Sequence, residues 1–214
     1  MQKTIHQKLV LRTSFVFVGI ATIFLAIRFF QKPKPISLAA GTLLSFGSSS
    51  APVELVLLED FLCHTCQRFM QEIFPMIQKK YIETGKVRFQ IFPIAFLDGS
   101  PAFANSAICV YLQNPEQFLL YLERFSPQYS ESIHQDELLH FVQGMEEIRL
   151  TPVRKCMETG QFFPALTKNY DLVQKIMGEN IRTPSLYING VQIPVDSYKI
   201  IALHIEKLLQ ESRW

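Results

Sequence analysis

The chain has 214 residues, 48% of them hydrophobic and 18 of them Phe, with a formal net charge of +2. That content is enough for a sizeable core and excludes wholesale disorder. The near-neutral balance, with no long basic run, argues against nucleic acid as a partner.

The first predicted element is apolar all round. Residues 13–27, TSFVFVGIATIFLAI, carry no charge; Lys3, Lys8 and Arg12 precede them, and Arg28, Lys32 and Lys34 follow. A bilayer core takes about 20 apolar residues with basic side chains at the ends. A cleaved secretory signal needs a small-residue site close behind its apolar stretch, whereas Ser37 and Ala39 lie beyond RFFQKPKP. Residues 1–30 therefore read as a transmembrane signal-anchor, with a cleaved signal peptide as the alternative. Residues 31–51 hold Lys-Pro repeats and a Gly-Ser-Ser-Ser run and read as a linker.

PVELVLLED follows, a continuous apolar run short enough for a strand buried on both faces. A helix is predicted to begin at or just after Cys63, because Phe69, Met70, Ile73, Met76 and Ile77 recur at spacings of three and four. Pro75 falls within it and predicts a kink. VRFQIFPI reads as a second strand. Residues 98–178 then read as an all-helical block. Three of its segments open on a capping residue followed by Pro: Ser100-Pro101, Asn114-Pro115 and Thr151-Pro152. TPSLYING and VQIPV predict a hairpin turning at Asn189-Gly190. A final amphipathic helix is expected after Asp196, its cap. The order is strand, helix, strand, helical block, hairpin, helix.

Two cysteines, Cys63 and Cys66, sit where the first strand hands over to its helix. Unpaired backbone N–H groups and the positive end of the helix dipole favour a thiolate there. Cys66, about one turn on, can reach back to the same sulfur. One exposed thiolate and one resolving thiol suit thiol–disulfide exchange. His64, if protonated, would stabilise the thiolate further. Zinc would want four ligands, but Cys109 and Cys156 are isolated, and His134 and His140 lack the usual spacing. A purely structural bridge between Cys63 and Cys66 would close only a tiny loop.

EDFLCHTCQRF, GKVRFQIFPI and above all TPSLYING resemble the bacterial DsbA-type thiol:disulfide oxidoreductases, from about Val53 to the end of the chain. The resemblance implies a thioredoxin-like α/β fold, a central mixed sheet flanked by helices, with an inserted all-helical domain and here an N-terminal hydrophobic helix in front. The thioredoxin-like domain would span 52–97 and 179–214, and the insert 98–178. Cys63 would form the mixed disulfide and Cys66 would resolve it. Thr183-Pro184 would be the cis-proline loop beside the active-site sulfur, leaving the Thr183 backbone free to pair with a substrate strand. His64 and Thr65, between the cysteines, replace the family's usual Pro and His there. The buried carboxylate that this family often carries six residues before the first cysteine is replaced by Leu57. Glu59 and Asp60 are nearby on a different count, which leaves the proton acceptor open.

Cys109 and Cys156 both fall in the helical block. As in some members of that family they are candidates for a bridge; the other reading is two separate buried cysteines. Phe96 and Phe103 are candidates for the floor of a substrate groove, the alternative being core. The expected activity is disulfide exchange with unfolded or reduced substrate proteins, running as a disulfide-forming oxidase. It is expected in the bacterial cell envelope, anchored in the inner membrane and facing the periplasm, or soluble there if the N-terminal segment is cleaved. A membrane redox partner is expected; no organic cofactor or metal is implied. The alternatives are a reductase or isomerase, a chaperone-like binding module for unfolded chains, and a carrier of a soft ion such as Cu(I).

Overall fold

A computed structural model describes residues 35–38, 41–42, 44–124 and 135–212. The elements in chain order are β1 (Leu44–Phe46), β2 (Val53–Glu59), α1 (His64–Glu72), α2 (Phe74–Ile77), a π-helical turn (Gln78–Ile82), β3 (Val87–Pro93), α3 (Ser100–Tyr111), α4 (Pro115–Arg124), α5 (Gln135–Gln143), α6 (Leu150–Glu158), α7 (Phe163–Met177), β4 (Ser185–Ile188), β5 (Val191–Ile193) and α8 (Tyr198–Glu211). The strands form one mixed sheet in the order β1-β3-β2-β4-β5. β2 and β3 are parallel, and the other pairs are antiparallel. This is a thioredoxin-like α/β fold with helices α3–α7 inserted between β3 and β4.

β2 is central and apolar on both faces. Leu55 and Leu57 join the larger core cluster, together with Phe69 of α1, Ile77 of α2 and Ile205 of α8. Val56 and Leu58 join a second cluster with Phe92, Ile94, Val173 and Tyr187. The alternation follows the two-residue period of a strand. Glu59, two residues past Leu57, falls on the same face as Leu57.

Pro75 does more than kink the first helix. It has no N–H to donate back along the helix. The chain breaks at Ile73 and restarts as α2, with the Ile77 N–H donating to the Ile73 carbonyl at 3.3 Å.

The stretch read as a linker enters the sheet. β1 pairs with β3, and Leu44 is buried. The Tyr111 hydroxyl accepts the Ser45 N–H at 2.8 Å and donates to the Ser45 carbonyl at 3.0 Å. Phe46 stacks on Phe118 with centroids 6.0 Å apart. The partners that order this strand lie in the helical insert, far along the chain, so local composition does not reveal them. The expected signal-anchor or signal peptide lies outside the described residues. Among the described residues no helix is long and apolar enough to cross a membrane.

The helix starts differ in part from the capping pattern. Asn114 caps α4, its Oδ1 accepting the Glu116 N–H at 2.9 Å. Ser100 and Thr151 instead lie inside their helices, which begin after Gly99 and Arg149. Gly99, at φ 73°, takes a left-handed turn that lets α3 start one residue early. α8 is preceded by Ser197 rather than Asp196. The hairpin turns at Asn189 and Gly190, both with positive φ (46° and 80°), as a two-residue primed turn requires. Asn189 Oδ1 also accepts the Glu54 N–H at 2.9 Å.

Candidate active site

Strand β2 ends at Glu59, and a turn delivers Cys63 to the start of α1. The Cys63 N–H donates to the Asp60 carbonyl at 2.9 Å, and the Cys63 carbonyl accepts the Gln67 N–H at 3.0 Å. Cys63 has extended backbone (φ −72°, ψ 119°), occupies the N-cap position and is half-buried, while Cys66 is buried inside the first turn. Both thiols are free. The Thr183-Pro184 peptide bond is cis and sets Thr183 beside Cys63. The Cys63 Sγ lies 3.0 Å from Thr65 Oγ1 and 3.6 Å from the Thr183 carbonyl oxygen, to which Thr65 Oγ1 donates at 3.2 Å. His64 is exposed, and its ring makes no hydrogen bond among the described residues.

The two thiols are driven apart electrostatically. The Cys63 thiol is lowered to about 4, first by the hydrogen bond from Cys66 and then by those from Thr183, Thr65 and the Cys66 backbone N–H; partial burial opposes them. Burial pushes the Cys66 thiol far up, reinforced by its hydrogen bond to Cys63 and by the negative charges of Glu59 and Cys63. Cys63 is therefore a thiolate at neutral pH and Cys66 a thiol.

Beneath them sits Glu59, 1% exposed. Burial raises its carboxyl well above the ordinary range, and the charges of Asp60 and Cys63 add to this. Its Oε1 has no hydrogen-bond partner among the described residues. Glu59 and Cys66 line one cavity of about 200 Å³ between α1, α2 and the inserted α4, with Gln67, Gln71, Leu122 and Glu123 also on its walls. A mixed cavity of that size, with Gln67, Gln71 and Glu123 among its apolar walls, has room and polar partners for water beside the carboxyl. The pleat places the Glu59 carboxyl on the same sheet face as Leu57, where the resemblance would put a carboxylate. A displacement of two residues along a strand keeps the side chain on the same face, so counting back from Cys63 misleads where face parity does not.

Asp60 has a different task. Its carboxylate is fully buried and accepts three backbone N–H groups: Leu62 at 2.9 Å, Phe96 at 2.9 Å and Leu97 at 3.2 Å. It ties the Cys63 turn to the loop that opens the insert. Acidic residues just before the cysteines were the only sequence signal for it.

Other predicted residues fall elsewhere. Cys109 on α3 and Cys156 on α6 are joined by a disulfide with Cα atoms 5.9 Å apart. It lies within the insert, joining α3 to α6. Phe103 is buried and stacks on Tyr121, with centroids 5.3 Å apart, so it is core rather than groove floor. Phe96 is exposed. A groove of about 450 Å³ runs beside the site, lined by Thr65, Arg68, Phe69, Thr183, Pro184 and Asp196 among others. Among the described residues no group of three or more His, Cys, Asp or Glu side chains is placed to hold a metal ion.

A family model described as Thioredoxin matches residues 39–207. The chain belongs to this family. Within it, the chain is similar to disulfide bond formation protein D of Bacillus subtilis, 28% identical over 171 residues, covering 77% of this chain and 76% of that one. It is also similar to a probable disulfide bond formation protein D of Bacillus cereus, 27% identical over 158 residues, covering 71% and 72%. The crystal structure of oxidised BdbD from Bacillus subtilis superposes with a TM-score of 0.70 at 26% identity, covering 82% of this chain and 96% of that chain. Chlamydia trachomatis DsbA, at 22% identity and a TM-score of 0.69, covering 84% and 97%, shares the fold.

Proposed function

We propose that this protein is a thiol–disulfide oxidoreductase that forms disulfides in substrate proteins through Cys63 and Cys66. The observation that carries the reading is the split of the pair: a half-exposed thiolate at a helix N-terminus over a buried thiol backed by a buried carboxyl. The similarity to disulfide bond formation proteins supports the same reading.

In the oxidised protein, a substrate thiolate attacks Cys63 Sγ. The Cys63–Cys66 bond breaks, its electron pair goes to Cys66 Sγ, and Glu59 gives that sulfur a proton. A second substrate thiolate then attacks the substrate sulfur of the mixed disulfide. The substrate disulfide forms, and Cys63 leaves as a thiolate. Two electrons have moved from substrate to protein, and a partner disulfide must remove them. The Thr183 backbone would hold an extended substrate strand, with the groove beside Pro184 and the exposed Phe96 available to its side chains.

Stabilising the Cys63 thiolate stabilises the reduced form, which makes the disulfide a strong oxidant. The direction is therefore oxidase rather than reductase. We place the folded part outside the cytoplasm, because the Cys109–Cys156 disulfide suits an oxidising compartment, and the apolar 13–27 segment suits a membrane anchor. A membrane redox partner would then reoxidise the pair. The test is the equilibrium reduction potential of Cys63–Cys66, with Cys109 and Cys156 replaced by Ala. A value near about −120 mV supports the oxidase; one near about −270 mV assigns a reductase.

A further inference from the structure

The Thr65 hydroxyl has one proton and two acceptors. It lies 3.0 Å from Cys63 Sγ and 3.2 Å from the Thr183 carbonyl oxygen. In the thiol form, Cys63 itself points its S–H at that carbonyl, at 3.6 Å. Once Cys63 is a thiolate it can only accept, so the sulfur and the carbonyl compete for Thr65. The Thr183 carbonyl accepts from no backbone N–H among the described residues. β4 starts only at Ser185, so this carbonyl stands beyond the ladder, open to the N–H of an added strand.

We propose that Thr65 is a two-position donor that couples substrate binding to thiol exchange. When an extended substrate strand donates its N–H to the Thr183 carbonyl, it occupies one lone pair and weakens that oxygen as an acceptor for Thr65, so the balance of the Thr65 proton shifts towards the Cys63 sulfur. The sulfur gains its donor while the strand is bound, which is when Cys63 must depart from the mixed disulfide as a thiolate. When the product leaves, the carbonyl competes for the proton again. A thiol leaves faster the better its thiolate is stabilised, so the strand makes Cys63 a better leaving group during its own release. Nothing covalent is added to the exchange; only a hydrogen bond changes partner. The inference rests on the reading of Cys63 as the exchanging thiol.

The test uses the full chain with Cys66→Ala, which holds the mixed disulfide at Cys63. One form is joined to an extended hexapeptide through a central Cys, which has flanking amides. The other is joined to cysteamine, which has none. Release of each by dithiothreitol is timed with Thr, Val or Ser at position 65. The titratable groups beneath Cys63, chiefly Glu59, are the same in all forms. Thr65→Val is expected to slow release of both forms, because its hydroxyl also stabilises the departing Cys63 thiolate, but to slow the peptide about tenfold more than cysteamine, with Thr65→Ser restoring the parent rates. Equal slowing of both forms, or no slowing of either, overturns the coupling. Failure of Cys63 to form a mixed disulfide with either thiol would instead overturn the functional reading. Thr65 is exposed and makes no bond into the core, so the variants fold.

Discussion

Glu59 and Cys66 share the cavity under the active site, a buried carboxyl with one unpartnered oxygen facing the region of a buried thiol. Burial and the charge of Glu59 both raise the Cys66 thiol, while burial and the charges of Asp60 and Cys63 raise the Glu59 carboxyl, so both groups hold their protons at neutral pH. Glu59→Gln keeps the volume and removes the acid. It is expected to slow reduction of the Cys63–Cys66 disulfide by substrate thiols roughly 10²-fold at neutral pH, measured by stopped flow. Glu59→Leu should do the same while stabilising the fold by about 1–3 kcal/mol, because an unsatisfied buried polar group is removed. Unchanged reduction kinetics in both variants would leave Glu59 out of the chemistry.

The route to that carboxyl passes between α1 and α4. Leu122→Trp narrows the cavity without touching either cysteine. It is expected to slow the proton-dependent step and to weaken its solvent isotope dependence, while alkylation of Cys63 proceeds at the parent rate. Equal loss in both measurements would point to a general disturbance of α4.

Reduced protein should react with iodoacetamide along a pH curve whose midpoint lies near the lowered value of Cys63, about 4. The largest lowering influence is the Cys66 hydrogen bond, so Cys66→Ala should move the midpoint upward. A midpoint unchanged in that variant would assign the lowering to the helix terminus and the two threonines.

The same ionisation gives the reduced form a pH-dependent stability. Cys63 titrates near about 4 when folded and near about 8.5 when unfolded. A group depressed on folding contributes stability that is complete above the unfolded value and lost as pH falls through the folded one. Reduced protein should therefore lose stability relative to oxidised protein as pH drops across that window. Urea unfolding of both forms between those limits measures it. The burial of Glu59 is common to both forms; the part of its shift due to the Cys63 charge exists only in the reduced form and opposes the trend, and the Cys66 shift acts only at more alkaline pH.

Replacing Cys109 and Cys156 together by Ala opens a bridge spanning 47 positions of the chain. The expected cost is about 2–4 kcal/mol in unfolding free energy. Oxidase activity below the melting range should persist, since neither sulfur is among the groups that shift Cys63 and Cys66.

Much of this protein is written in its sequence. The continuous VELVLLE run has no polar face to offer and must be a central strand. The Cys63–Cys66 spacing at a helix start gives one sulfur the helix terminus and the other the interior. Asn189-Gly190 permits positive φ at both positions of a tight turn. These are local properties, fixed by backbone sterics and by the period of the element. Tertiary structure decided what depends on distant partners. Leu44–Phe46 becomes a strand because Tyr111 and Phe118 are there to receive it. Phe103 is core because Tyr121 covers it. Glu59 becomes the buried acid because the α1–α4 contact removes it from bulk water while leaving a cavity beside it. Thr65 finds its second acceptor, the Thr183 carbonyl, across 118 positions of sequence. Desolvation and hydrogen-bond geometry are set by what packs around a group, and that is fixed only when the chain has closed on itself.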